Sequence, residues 1–138
     1  MTSEFLTALP HQIPFRAASA VVRRDETSIT GTYLVSADEP LPLDIMLVEA
    51  MAQFAGALAL QPGQPGMLTG IDRCEVVRLP VAGDVVHITV TLDASFGGVH
   101  RFSGLGAIDG VEVVRGRFYL SQSIPRADEE SPVTPRRA

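Results

Sequence analysis

The sequence predicts an α+β domain in which an antiparallel sheet wraps around one long central helix. One long stretch is apolar on every face, which is typical of a buried helix. Short segments of alternating apolar and polar residues precede it, and more of them follow it up to the C-terminal region. An antiparallel sheet must cover its apolar face, and this chain offers one buried helix for that purpose.

The predicted helix starts at Leu43 and ends at Leu60. From Ile45 onward, only Glu49 and Gln53 carry a charge or an amide, and the other side chains are apolar or small. The stretch is rich in Ala, Leu and Met and poor in β-branched residues, which favours helix over strand. The sequence Gln-Pro-Gly that follows ends it.

A membrane-spanning helix is the alternative interpretation of this stretch. Asp44 and Glu49 would then each place a charge within lipid, Pro42 interrupts the approach, and no comparable segment follows. We therefore expect a helix buried in protein.

Alternating and β-branched segments predict the strands of the sheet. They cover residues 16–24, 28–35, 67–77, 84–94, 99–108 and 111–121. Gly97-Gly98 and Asp109-Gly110 predict two hairpin turns. In the fourth strand, the alternation places Val86 and Ile88 on the core face and His87 on the opposite face.

Length and composition indicate one globular domain. The chain has 138 residues, of which 46% are hydrophobic. Residues 1–124 are expected to form the domain, and residues 125–138 a charged, Pro-rich, solvated tail. The net charge of -5 argues against a nucleic-acid-binding protein.

Cysteine content and motifs limit the site chemistry. The single cysteine, Cys74, excludes an intramolecular disulfide, and the N-terminal region lacks a basic segment followed by an apolar one, so a cytoplasmic location is expected. Cys74 has no Cys or His at ligand spacing and is expected to be a structural thiol. No metal or nucleotide cofactor is indicated by any motif.

Glu49 is the candidate for acid–base chemistry. A carboxylate in a buried helix must be paired or stay neutral through a raised pKa, and such a group is a natural general acid or base. Gln53 lies one turn later on the same face, where it would orient Glu49 or hold a substrate oxygen. The alternative is a structural Glu bonded to backbone amides or an arginine.

Several segments resemble the β-hydroxyacyl-[acyl-carrier-protein] dehydratases of fatty-acid synthesis. Residues 9–15 (LPHQIPF) are similar to that family's Leu-Pro-His-Arg-Tyr-Pro-Phe, and residues 35–40 (VSADEP) to its Val-Ser-x-Asn-Glu-Pro. Residues 48–56 (VEAMAQFAG) are similar to its helix motif Leu-Glu-Ala-Met-Ala-Gln-x-x-Gly. Residues 70–84 resemble the family's Gly-Ile-Asp strand and the Gly-Asp turn that follows it. Residues 100–110 resemble its Thr-Arg-Phe-x-Gly segment, which forms the partner strand of a hairpin.

The resemblance implies a hotdog fold and a lyase that dehydrates 3-hydroxyacyl thioesters carried by acyl carrier protein or coenzyme A. Glu49 takes the place of the acid that protonates the leaving β-hydroxyl. Gln53 takes the place of the supporting amide, and Gly56 takes the place of the glycine that ends the helix motif. The resemblance assigns both residues to substrate binding. The family's Gly-His-Phe-Pro-Gly segment, whose His is the base, is missing between Pro40 and Val48.

Three functions remain open at this point. In the first, the protein is a dehydratase that uses Glu49 alone or with His11. In the second, it is a thioester hydrolase in which Glu49 activates water. In the third, it is a non-catalytic subunit that binds an acyl chain or a partner. The resemblance also implies a homodimer, or a heterodimer with a second dehydratase subunit as in aryl-polyene-type pathways.

Overall fold

The computed structural model describes residues 17–60 and 66–122. This part of the chain forms one helix and six strands. The strands are β1 (Ala20–Arg24), β2 (Ser28–Leu34), β3 (Gly66–Val76), β4 (Val85–Phe96), β5 (Val99–Ile108) and β6 (Val111–Gln122), and the helix α1 (Leu43–Ala59) lies between β2 and β3. The division into a domain and a tail stays a prediction, because the tail and the segment that contains His11 lie outside the described residues.

All the described strands belong to one antiparallel sheet, in the order β1-β2-β4-β5-β6-β3. The two predicted hairpins join β4 to β5 and β5 to β6. Gly97 and Gly98 have positive φ in the first turn, and Asp109 (φ 51°) and Gly110 (φ 79°) have it in the second. These angles fit a type I′ turn, whose twist matches that of the flanking strands.

The helix covers one face of this sheet, as predicted. Its fully buried side chains include Met51 and Phe54, which belong to the same core cluster as Phe102 and Phe118, and these two rings stack at a centroid distance of 5.7 Å. Val86, Ile88 and Val90 are fully buried on the same face, whereas His87 is exposed, so the predicted alternation is confirmed. Among the described residues, no helix combines the length and the hydrophobicity needed to cross a membrane.

The helix begins at Leu43, as predicted, and ends at Ala59, one residue before the predicted end. The helix begins after Pro42 without a side-chain cap, and Asp44 lies in its first turn, where its Oδ1 accepts a hydrogen bond from the backbone N–H of Ile45 at 2.8 Å. At the other end, the guanidinium group of Arg24 donates a hydrogen bond to the backbone carbonyl oxygen of Leu58 at 3.0 Å. Strand β1 thus supplies the positive charge that the last helical turn lacks.

Candidate functional site

A cavity of about 410 Å³ lies between the first half of helix α1 and the edge strand β3. Glu49 is one of its polar lining residues and is half-buried. The remaining lining consists of Asp44, Cys74 and the aliphatic side chains of Ile45, Val48, Leu68, Ile71 and Val76. The expectation of a buried Glu49 is therefore wrong in degree: the carboxylate borders an apolar cavity and keeps access to solvent.

Gln53 fixes the geometry on one side of Glu49. It is 2% exposed, and its Oε1 accepts hydrogen bonds from the backbone N–H groups of Ala17 at 2.8 Å and Ala18 at 3.0 Å. Its Nε2 donates a hydrogen bond to Oε2 of Glu49 at 3.2 Å. Only the side-chain oxygen of Gln53 can accept hydrogen bonds from these two backbone N–H groups. The NH₂ group of the same amide must therefore face Glu49.

The helical spacing of four residues brings Glu49 and Gln53 to the same face, as the sequence predicted. The structure therefore favours Gln53 as the residue that orients Glu49, which was one of its two expected roles. Its oxygen is already occupied by Ala17 and Ala18. The assignment of Gln53 to direct substrate binding stays a prediction.

Cys74 is the residue of this cavity that the sequence interpretation missed. The thiol is exposed and lines the same cavity as Glu49. Partial desolvation raises the pKa of the Cys74 thiol, and the negative charge of Asp44 raises it further. Cys74 reaches this cavity because β3 pairs with β6 and therefore lies at the edge of the sheet, beside the helix.

The other predicted site residues lie away from the cavity or outside the described residues. Gly56 is buried within the helix, its carbonyl oxygen accepts a hydrogen bond from the N–H of Leu60 at 2.9 Å, and it is not among the described residues that line the cavity. His11 belongs to the undescribed N-terminal segment. His100 packs against the ring of Phe102 at a centroid distance of 6.3 Å.

The arrangement suits proton transfer next to an apolar chain. A carboxylate that is oriented by an amide and borders aliphatic side chains can hold or release a proton beside a bound acyl group. Within residues 17–60 and 66–122, no group of three or more His, Cys, Asp or Glu side chains is placed to hold a metal ion.

Comparison with known proteins relates this chain to dehydratases. No protein-family model matches the chain. The 3-hydroxyacyl-[acyl-carrier-protein] dehydratase FabZ of Erwinia tasmaniensis is 30% identical, over 87% of this chain and 91% of the relative. The FabZ of Cronobacter sakazakii is 32% identical over the same shares of the two chains. The FabZ of Yersinia pestis is 31% identical, over 94% of this chain and 84% of the relative.

Solved structures with the same fold include dehydratases and thioesterases. The dehydratase heterocomplex ApeI:P from Xenorhabdus doucetiae superposes with a TM-score of 0.75 at 24% identity, over 89% of this chain and 91% of that chain. A hypothetical thioesterase with coenzyme A from Streptococcus pneumoniae gives a TM-score of 0.68 at 12% identity, over 88% and 95% of the two chains. At these identities the likeness shows the hotdog fold alone. Together with the sequence relatives, it shows that this chain is a divergent member of the hotdog-fold 3-hydroxyacyl-[acyl-carrier-protein] dehydratase family.

Proposed function

We propose that the protein is a 3-hydroxyacyl-thioester dehydratase of fatty-acid or related acyl-chain synthesis, with Glu49 as its general acid. The observation that carries the proposal is the position of Glu49, held by Gln53 at an apolar cavity. The family relationship supplies the reaction class, and the cavity supplies a place for an acyl chain. We propose the cytoplasm as its location.

In the proposed reaction, Glu49 gives a proton to the β-hydroxyl group as the C–O bond breaks. A base removes a proton from the carbon next to the thioester, and a trans-2-enoyl thioester and water are formed. His11 is the proposed base in this chain. Because one group of an acid–base pair is worth roughly 10²–10⁴-fold in rate, a protein without an effective base would be slow by that factor.

The edge strand β3 supports an assembly of two protomers. Met67 is 62% exposed, Leu68 is 37% exposed and Ile71 is 49% exposed, and the last two line the cavity beside Glu49. A second strand paired with this edge would satisfy its backbone groups and cover these apolar side chains. We propose a homodimer, and as the alternative a heterodimer with a second dehydratase subunit.

The substrate carrier in this proposal is an acyl carrier protein or coenzyme A. The curated relatives are named for acyl-carrier-protein substrates, and a hotdog thioesterase of similar fold was solved with coenzyme A. Both carriers present the acyl group as a thioester on a long arm. The aliphatic lining of the cavity suits the hydrocarbon part of either substrate.

Thioester hydrolysis is the second candidate function. The described lining of the cavity contains carboxylates and a thiol but no histidine, and a carboxylate alone can activate water. A non-catalytic acyl-binding or partner subunit is the third candidate. In that case Glu49 and Gln53 would serve to hold the N-terminal part of the domain against the helix.

One experiment separates these candidates. The purified protein is incubated with 3-hydroxyacyl and trans-2-enoyl thioesters, and hydration, dehydration and thiol release are followed together. Interconversion of the two acyl thioesters supports the dehydratase. Thiol release identifies the hydrolase, and the absence of both reactions, also with a second dehydratase subunit present, favours the binding subunit.

A further inference from the structure

The outer face of the sheet, opposite helix α1, carries a groove of about 660 Å³ that the proposed reaction does not use. Three guanidinium groups line it, those of Arg73, Arg115 and Arg117. Hydroxyl groups of Thr91 and Ser103 line it as well. We call this region the outer groove.

Strand register brings these groups into one row. Thr91 on β4 lies opposite Ser103 on β5, Ser103 lies opposite Arg117 on β6, and Arg117 lies opposite Arg73 on β3. Successive side chains of a strand point to opposite faces. Phe118 therefore enters the core, whereas the neighbouring Arg117 lines the outer groove.

The same alternation separates the outer groove from the Glu49 cavity. Cys74 lines the cavity, and its neighbour Arg73 lines the outer groove. A ligand in the outer groove would thus be divided from the acyl site by the thickness of the sheet. Pairing of two β3 edges would leave this face open.

The charges in the outer groove are only partly balanced. Glu112 forms a bidentate ion pair with Arg115, at 2.6 Å and 2.7 Å. Asp72 also lines the groove, and its Oδ2 accepts a hydrogen bond from the Tyr119 hydroxyl at 3.0 Å. Arg73 and Arg117 form no ion pair with any of the described residues.

Like charges on directly opposed strand positions destabilise a sheet by up to roughly 1 kcal/mol, and an anion bound between Arg73 and Arg117 would offset that repulsion. We propose that the outer groove binds the phosphate group of a small phosphorylated molecule, through Arg73 and Arg117. Two planar guanidinium forks on neighbouring strands supply paired N–H donors that match phosphate oxygens. The volume suits a small-molecule ligand, and the side chain of Leu105, 39% exposed, provides an apolar surface for its non-phosphate part.

The test is a titration of the full-length protein with inorganic pyrophosphate, followed by ¹H–¹⁵N correlation spectra. Shifts are expected at the backbone amides of Arg73, Ser103 and Arg117 and should shrink as sodium chloride is added. Arg117→Gln should weaken binding roughly tenfold, because a charge-assisted pair of hydrogen bonds is lost. Arg78→Gln, an exposed arginine outside the outer groove, is the matched control and should bind like the wild type.

Thermal unfolding is the second measurement, and it shows whether the Arg117→Gln variant is folded. Pyrophosphate should raise the melting temperature of the wild type and of Glu49→Gln, and at the same concentration should raise that of Arg117→Gln less. The proposal is overturned if these amides do not shift, or if Arg117→Gln binds as tightly as Arg78→Gln does. Because binding is measured without catalysis, either result is independent of the proposed reaction.

Discussion

Gln53 donates a hydrogen bond from its side-chain amide to the carboxylate of Glu49, four residues earlier on helix α1, at 3.2 Å. The oxygen of the same amide holds two backbone N–H groups at the start of the described chain. One buried side chain therefore orients the proposed catalytic acid and ties the N-terminal part of the domain to the helix. We therefore expect Gln53 to influence both the stability of the domain and the proposed acid–base chemistry.

Replacement of Gln53 by leucine should lower the free energy of unfolding by about 2–4 kcal/mol. The N–H groups of Ala17 and Ala18 would lose their acceptor while staying buried. Urea denaturation followed by circular dichroism measures the change. Glu49→Gln is the control and should cost less than Gln53→Leu, since an amide oxygen still accepts the hydrogen bond from Gln53. A Gln53→Leu protein as stable as this control would contradict the structural role.

Arg24→Ala should destabilise the protein by about 1 kcal/mol, because the carbonyl group of Leu58 loses its donor and the helix C-terminus loses a positive charge. Thermal unfolding at low ionic strength is the suitable measurement, and added salt should reduce the difference. Arg23→Ala is the matched control on the same strand. Equal melting temperatures for the two variants would show that the hydrogen bond from Arg24 to Leu58 does not stabilise the end of the helix.

Gly31→Ala tests the close packing of the helix on the sheet. An added Cβ at Gly31 would overlap the ring of Phe54 and the backbone carbonyl oxygen of Ala20. The expected loss is about 1–3 kcal/mol or more, as for other overpacked cores. At Gly70 the nearest neighbour of an added Cβ would be a Tyr119 ring atom at 3.5 Å, an ordinary contact. Gly70→Ala should leave the midpoint of denaturation nearly unchanged, and a similar loss in both variants would refute the packing argument.

Alkylation of Cys74 should report the electrostatics of the Glu49 cavity. Desolvation and the charge of Asp44 raise the pKa of this thiol, so the reactive thiolate forms at higher pH than in an ordinary cysteine. Iodoacetamide should therefore react slowly near neutral pH and faster as pH rises past the ordinary thiol range. Asp44→Asn lowers the pKa toward its usual value and should raise the rate at pH 8 about two- to threefold.

The chain contains a single cysteine, so intact-protein mass spectrometry measures this rate directly. Asp38→Asn, in the exposed loop before the helix, is the control and should have little effect. An Asp44→Asn protein that is alkylated no faster than this control would show that Asp44 does not act on the thiol.

Much of the fold could be predicted from local patterns. Strand alternation identified Val86 and Ile88 as core residues, and Asp109-Gly110 specified a tight hairpin, because both depend on residues close in sequence. The apolar surface of the helix required a sheet around it. The exact ends were less certain: the helix stops at Ala59, one residue before the predicted end, and β4 continues to Phe96.

The candidate site was predictable only where it depends on helical spacing. Glu49 and Gln53 meet because they are four residues apart. The hydrogen bond from the backbone N–H of Ala17 to Gln53 joins residues that are 36 positions apart, and no local sequence pattern predicts such a contact. The place of Cys74 follows from the pairing of β3 with β6, a long-range arrangement that alternation alone does not reveal.

The most direct test of the central claim compares Glu49→Gln with Asp109→Asn in the interconversion of 3-hydroxyacyl and trans-2-enoyl thioesters. Both changes turn a carboxylate into an amide, but Asp109 lies in a remote turn whose positive φ suits asparagine. Our account predicts a loss of roughly 10²-fold or more in kcat for Glu49→Gln, and wild-type activity for Asp109→Asn. An active wild-type protein whose Glu49→Gln variant retains full activity would contradict the assignment of Glu49 as the general acid.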